Sequence, residues 1–190
     1  LAAIETWGLN RTLERINGMF AFALYDRKQK ELHLIRDRLG KKPLYVGWAG
    51  SHLVFASELK AIKAHQHFKP QLSQSGFQDY MKTGYVSAPH SIYEKIWSLP
   101  AGCRLSLPLE NIAEGETLTE HMVPYWHHFD VIRQAKTKAR PVTEENAVKT
   151  FDDTLTTCVK ERLISDVPLG AFLSGGIDSS LIVAIMQKLM

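Results

Sequence analysis

The pattern of hydrophobic and polar positions predicts that the chain begins with a helix followed by short strands. Apolar residues recur at helical spacing from Leu1 to Ile16, and Gly8 interrupts them. The segment therefore predicts a helix, a break and a further helical turn. Both faces of residues 20–25 are apolar, which predicts a strand that is buried on both sides.

Short apolar segments separated by turn residues predict four strands in an antiparallel meander. The segments are residues 20–25, 31–36, 43–48 and 52–56. A short helix is predicted from Ser57, and a second one over residues 73–81, where Ser73 is a suitable N-cap. Residues 85–100 are aromatic and are predicted to be irregular, whereas residues 103–107 predict a strand.

Few large apolar side chains occur in residues 131–143, which are therefore predicted to be a linker. Its basic residues are Lys136, Lys138 and Arg140. Thr143 is a suitable N-cap for the helix that follows. The apolar residues of that helix form one stripe: Ala147, Val148, Phe151, Leu155, Val159 and Leu163.

Residues 167–173 form a short apolar run that predicts an interior parallel strand. A glycine-rich turn follows, and residues 181–190 predict another helix. This order of helix, strand, glycine-rich turn and helix is typical of the start of a parallel α/β domain.

The composition is that of a soluble globular protein. Of 190 residues, 45 % are hydrophobic and 23 % are charged, which excludes a disordered or collagen-like chain. The net charge of +3 comes from scattered residues, so no nucleic-acid partner is expected. No apolar run approaches the ~18 residues of a membrane helix, so no membrane partner is expected either. The two cysteines form no disulfide framework, which favours a reducing, cytoplasmic location.

Both ends of the chain indicate a fragment. Residue 1 is Leu rather than Met, and the last predicted helix contains no residue that would end it. We therefore expect a piece of a longer protein, with some of the chemistry in sequence outside it.

The segment Ser174-Gly175-Gly176-Ile177-Asp178-Ser179-Ser180 has the properties of a phosphate-binding loop. Its paired glycines let the backbone approach a ligand, and successive N–H groups at a helix N-terminus bind anions. The carboxylate of Asp178 would repel a bare phosphate, so we expect Mg²⁺ between the two. No Lys follows the glycines, which excludes a Walker A loop.

This segment resembles the pyrophosphate-binding loop of ATP pyrophosphatases that adenylate a substrate. The chain as a whole is similar to the glutamine-hydrolysing asparagine synthetases. The similar segments occur in the family's order; they are residues 19–26, 36–40, 42–45, 55–61, 84–86, 88–89, 99–102, 125–126 and 166–173. Lys41 replaces a residue that is usually apolar in the family, which indicates local exposure.

The resemblance implies an α/β fold class with two parts. An α+β glutaminase part of the N-terminal-nucleophile (Ntn) hydrolase type, with an antiparallel sheet, would precede the start of a parallel α/β ATP-pyrophosphatase domain. Residues 1–130 would form the C-terminal part of a type 2 amidotransferase domain with an interdomain segment. Residues 131–143 would be the linker, and residues 144–190 the truncated start of the asparagine synthetase ATP-binding domain.

The resemblance also implies a carbon–nitrogen ligase with two reactions. An N-terminal Cys thiolate would release ammonia from glutamine through a thioester. ATP would activate the side-chain carboxylate of aspartate, and ammonia would then displace AMP to give asparagine. Residue 1 is Leu, and Cys103 and Cys158 are expected to be structural residues, with Cys158 in the core. No catalytic residue is therefore expected in this chain, which alone should be inactive.

The ligands implied by the resemblance are ATP and Mg²⁺. The residues expected to bind ATP or pyrophosphate are Phe172, Leu173, Ser174, Gly175, Gly176, Asp178, Ser179 and Ser180. Phe172 and Leu173 would line the adenine or ribose pocket, and Asp178 would hold Mg²⁺. Glutamine, aspartate and ATP are the expected substrates, and a second copy in a homodimer is an expected partner.

Two other functions remain open at this stage. A related acyl-adenylating amidotransferase or a β-lactam-forming synthetase would act on another carboxylate, and a degenerate paralogue would only bind nucleotide.

The histidine pairs His65/His67 and His127/His128 do not have the spacing of a metal site, so surface positions are expected for them. Residues 36–38 are expected to stabilise a turn.

Overall fold

The computed structural model of the chain describes residues 1–138 and 141–190. These residues divide into two compact units, Leu1–Ala135 and Lys136–Met190. The helix α4 (His128–Thr137) extends into the predicted linker, whose Arg140 lies outside the described residues. Across both described ranges, no helix combines the length and the apolar character that crossing a membrane requires.

The first unit contains two antiparallel sheets, so the predicted single meander is wrong. The strands are β1 (Ala21–Asp26), β2 (Glu31–Arg36), β3 (Tyr45–Ala49), β4 (His52–Ala56), β5 (Ile96–Ser98), β6 (Cys103–Pro108) and β7 (Met122–Pro124). Their order is β1-β2-β6-β7 in one sheet and β4-β3-β5 in the other. Within the predicted meander, β1 pairs with β2 and β3 pairs with β4 as expected. However, β2 also pairs with β6, and β3 with β5, so the two hairpins belong to different sheets. The strand β5 lies in the segment predicted to be irregular.

The main hydrophobic core of this unit draws on both sheets. Leu34 of β2, Leu105 of β6 and Val46 of β3 belong to one cluster and are fully buried. The strand β1 contributes none of the buried residues of this core, although its Ala21 packs against it, and its Tyr25 is 50 % exposed. Among the described strands, β1 pairs with β2 alone and is therefore an edge strand, so the prediction that it is buried on both sides is wrong.

Local signals set the helix boundaries in the first unit. The helix α1 (Ala2–Arg15) is broken at Gly8 as predicted, where φ is 75° and ψ is 164°. After α2 (Leu59–Lys63), the Ser73 hydroxyl accepts a 3.2 Å hydrogen bond from the Gly76 N–H and begins α3 (Gln74–Thr83). Gly84 ends α3 in the left-handed region, with φ of 79°.

The second unit contains α5 (Glu144–Lys160) and α6 (Ile177–Leu189), and the Thr143 hydroxyl caps α5 as predicted by accepting from the Asn146 N–H at 3.3 Å. Val159 of the predicted apolar stripe is buried, whereas Phe151 is 60 % exposed. The strand predicted for residues 167–173 is not formed, and the described part of this unit contains no strand. A strand is stable only when a neighbour pairs with its backbone groups, and no described residue forms a strand beside this segment.

The mixture of helices and antiparallel sheet confirms the predicted fold class. The first unit accounts for all of the strands that the described residues form. The parallel sheet expected beyond it stays a prediction.

Candidate functional site

Residues 174–180 form the turn that leads into α6. Gly175 has a φ of 80°, which glycine adopts without strain, and a Cβ at this position would meet no other atom within 4 Å. Gly176 is the N-cap of α6. The first N–H groups of a helix have no acceptor within the helix, so those of Ile177, Asp178 and Ser179 are available to a ligand. They also lie at the positive end of the helix dipole, which favours an anion.

Three serine hydroxyls gather around the carbonyl of Gly176. The Ser179 and Ser180 hydroxyls donate to this carbonyl at 3.0 Å and 2.8 Å. The Ser174 Oγ lies 2.9 Å from the Ser179 Oγ. A Cβ on Gly176 would lie 3.6 Å from the Ser174 Oγ, which is an ordinary van der Waals contact. The turn thus brings together four of the residues expected from the sequence.

Asp178 is in the first turn of α6 and is exposed. A carboxylate at this position is stabilised by the helix N-terminus. Mg²⁺ usually binds one or two carboxylates together with phosphate oxygens and water. An exposed carboxylate beside a set of N–H donors therefore fits a polyphosphate that carries Mg²⁺.

Phe172 and Leu173 are also predicted site residues, but the turn does not bring their side chains to the serine hydroxyls at the start of α6. Phe172 is fully exposed and Leu173 is 61 % exposed. Both residues lie in the segment that forms no strand, and both side chains are open to solvent. Their assignment to an adenine or ribose pocket stays a prediction.

The two cysteines occupy different environments. Cys103 is buried in the core of the first unit, and burial raises the pKa of its thiol. A catalytic thiol needs a lowered pKa, so Cys103 is unsuited to nucleophilic chemistry. Cys158 of α5 is exposed, which shows that the expected core position is wrong.

The turn after β2 has a structural arrangement of polar groups. The Arg36 guanidinium donates to the carbonyls of Lys42, Leu99 and Gly40 at 2.8, 2.6 and 2.9 Å. These contacts join β2 to the segment before β6 and support the structural role expected for this turn. Arg36 thus bonds to backbone carbonyls and not to the carboxylates of an ion network. No short sequence pattern reveals that these carbonyls are its partners.

Two family models match the chain. Residues 1–125 match the model described as a glutamine amidotransferase domain, and residues 150–190 match the model described as asparagine synthase. The asparagine synthetase [glutamine-hydrolyzing] 3 of Bacillus subtilis is 34 % identical over 91 % of this chain and 26 % of its own length. The asparagine synthetase B [glutamine-hydrolyzing] of Escherichia coli is 34 % identical over 93 % of this chain and 24 % of its own length. The chain thus spans about a quarter of the length of these curated relatives.

Proposed function

The chain belongs to the glutamine amidotransferase domain family, and from this premise we propose that it is part of an ATP-dependent asparagine synthetase. The proposed enzyme uses ATP to adenylate the side-chain carboxylate of aspartate, with release of pyrophosphate. Ammonia from glutamine then displaces AMP to form asparagine. A carboxylate is a poor electrophile, and the adenylate supplies the leaving group that amide formation needs.

The observation that supports this proposal is the turn at residues 174–180. Its N–H groups at the start of α6 would bind the pyrophosphate part of ATP. The hydroxyls of Ser174, Ser179 and Ser180 bond within the turn, and each would have to rotate in order to donate its one proton to the phosphates. Asp178 would hold the Mg²⁺ ion, which offsets the negative charge of the phosphates. The role of these residues is to position the leaving pyrophosphate and to neutralise its charge.

The first unit, in this proposal, supplies part of the glutaminase. Neither Cys103 nor Cys158 is assigned the nucleophile, because the first is buried with a raised pKa and the second lies on α5 of the second unit. No catalytic residue is therefore assigned within residues 1–190, and we expect this segment alone to hydrolyse no glutamine.

The substitution Asp178→Asn tests the proposed site in the full-length protein. Asn keeps the size of the side chain but removes the charge that would hold Mg²⁺, so Mg²⁺-dependent binding of ATP should weaken at least about tenfold. Aspartate-dependent exchange of labelled pyrophosphate into ATP should fall with it, whereas glutamine hydrolysis should stay largely intact. The matched control is Asp153→Asn on α5, which should leave all three measurements unchanged.

Equal loss of pyrophosphate exchange and glutamine hydrolysis in Asp178→Asn would contradict the proposed division between the two sites. Unchanged ATP binding would contradict the assignment of the loop itself. Exchange that depends on a carboxylate other than aspartate would favour a related acyl-adenylating amidotransferase.

A further inference from the structure

A cavity of about 450 Å³ lies in the first unit, between three segments that are far apart in the sequence. Its lining comes from the turn between β3 and β4, from residues 66–71 after α2, and from Glu94 and Lys95 before β5. All of these residues belong to the first unit. The volume is in the range of small-molecule sites, which is about 300–1,000 Å³.

Backbone hydrogen bonds join the walls of this cavity. The Trp48 N–H donates to the Lys95 carbonyl at 2.9 Å, which fixes the segment before β5 against β3. The Glu94 N–H donates to the Gln71 carbonyl at 2.9 Å, which fixes the same segment against the loop after α2. Phe68, which is 9 % exposed, fastens that loop to the core. The walls are therefore formed before any ligand binds, so binding does not have to order them.

Two lysine side chains on the lining have no carboxylate partner. Lys69 and Lys95 are exposed, and in the described part of the chain neither amine lies within 4.0 Å of a carboxylate oxygen. Glu94 is the one carboxylate among the described lining residues, so the ammonium groups outnumber it two to one. The side chains of Ser51 and Gln71 also line the cavity and are exposed, which leaves them available as donors. This excess of positive charge attracts an anion.

Lys95 adopts a backbone conformation that favours glycine. Its φ is 59°, in the left-handed region, where a residue with a side chain is strained. Lys30, with a φ of 54°, is the other described residue with a side chain in this region, and it forms an ion pair with Glu110 outside the cavity. A change to glycine at either position therefore removes a positive charge without straining the backbone.

We infer that this cavity binds a small molecule that carries a phosphate group. A phosphate monoester has a charge of about −1.5 to −2 at neutral pH, which matches two ammonium groups better than one carboxylate would. Lys69 and Lys95 would contact the phosphate oxygens as point charges, and Gln71 would donate a further hydrogen bond. The organic part of the ligand would occupy the remaining volume, beside Trp48 and Phe68. The inference does not rest on the proposed function, because it uses no residue of the turn at 174–180.

The test is a calorimetric titration of the full-length protein with ribose 5-phosphate, in EDTA so that Mg²⁺ is removed. Lys95→Gly should weaken binding at least about tenfold, which is the loss expected for one charge-assisted hydrogen bond. The matched control is Lys30→Gly, which removes a lysine from the same backbone conformation outside the cavity and should leave the affinity unchanged. Glu94→Gln should strengthen binding severalfold, because it removes the carboxylate that repels the phosphate.

Acetylation of amines, followed by mass spectrometry, locates the bound molecule. Ribose 5-phosphate should protect Lys69 and Lys95 from acetylation and should not change the reactivity of Lys28, which is exposed outside the cavity. Ribose without the phosphate should protect none of the three. Asp178→Asn should leave the protection unchanged, which distinguishes failure of this site from failure of the proposed function.

Equal affinity of the wild type and Lys95→Gly for ribose 5-phosphate would overturn the inference, as would equal weakening in Lys30→Gly, which would indicate an effect of net charge alone. Both glycine variants should keep the stability of the wild type, because relief of the strained backbone offsets the greater freedom of glycine in the unfolded chain. If Lys95→Gly proved less stable, Lys69→Gln, which changes only an exposed side chain, would decide between the same two outcomes.

Discussion

The hydroxyl of Tyr125 donates a 2.8 Å hydrogen bond to the backbone carbonyl of Arg36. This bond joins the segment after β7 to the end of β2. The backbone N–H of Tyr125 donates in turn to the carbonyl of Gly102, at 2.9 Å, just before β6. One residue thus connects three strands of the same sheet at one end. Burial raises the pKa of Tyr125 to about 12, with a smaller opposing effect of Arg38.

Removal of the Tyr125 hydroxyl should lower the stability of the first unit. Tyr125→Phe leaves the Arg36 carbonyl without this donor, so the free energy of unfolding should fall by about 1 kcal/mol. Alkaline pH provides a second measurement. The folded state holds the Tyr125 proton up to about pH 12, whereas the unfolded state releases it near 10. The stability linked to this proton is therefore complete below pH 10 and is lost as the pH rises to 12.

Urea unfolding at several pH values would measure both effects in the wild type and in Tyr125→Phe. The control is Tyr25→Phe, because Tyr25 is 50 % exposed on β1 and should change little. An alkaline loss of stability that is equally steep in Tyr125→Phe and in the wild type would show that Tyr125 is not its source.

The carboxylate of Asp37 organises the turn after β2. Asp37 is 1 % exposed and accepts hydrogen bonds from four backbone N–H groups. The donors, with distances to the carboxylate, are Phe20 at 3.3 Å, Leu39 at 3.2 Å, Lys41 at 3.0 Å and Lys42 at 2.9 Å. Burial by itself would raise the pKa of Asp37, but the four donors outweigh it, so the pKa is lowered below 3.8.

Asp37→Asn should therefore destabilise the first unit strongly. The amide nitrogen would face N–H donors instead of accepting from them, and the loss should be about 2–3 kcal/mol at neutral pH. Since the pKa of Asp37 is lowered in the folded state, its contribution is present above pH 3.8 and is lost as the pH falls through the folded value. The difference between Asp37→Asn and the wild type in urea unfolding should shrink at acid pH.

Asp26→Asn is the control for this prediction. Asp26 also accepts from two backbone N–H groups, those of Lys28 and Gln29, but it lies at the end of β1 beside an exposed turn and is only partly buried. Its replacement should cost less than that of Asp37. Equal losses for the two variants would argue that burial adds nothing to the bonds of Asp37.

Features with a local cause could be predicted from the sequence. The break at Gly8 and the caps at Ser73 and Thr143 each depend on one residue and its immediate neighbours, and the structure confirms all three. The turn at residues 174–180 also has a local cause, because paired glycines before a helix suffice to form it. The hydrogen bonds of its serine hydroxyls depend on side-chain rotation and could not be predicted.

Features set by distant partners could not be predicted. The strands β3 and β4 leave the predicted meander because Gly47 pairs with Ile96, far along the chain. The rings of His52, His65 and His67 lie within 5.7 Å of one another for a similar reason, because the turn between β3 and β4 approaches the loop that follows α2. Residues 167–173 have the composition of an interior strand, but the described second unit provides no strand to pair with them.

The pairing of β3 with β5 depends on the missing side chain of Gly47. A Cβ on Gly47 would lie 2.0 Å from the Lys95 carbonyl oxygen and 2.7 Å from the Ile96 Cα, and neither backbone atom can move without displacing β5. Gly47→Ala should therefore lower the free energy of unfolding by about 3 kcal/mol, as measured by urea unfolding with tryptophan fluorescence. Gly170→Ala is the control, because a Cβ on Gly170 meets nothing within 4 Å and its φ lies outside the left-handed region. That change should be neutral or slightly stabilising. A stable Gly47→Ala variant would mean that β5 is not held against β3 at this point.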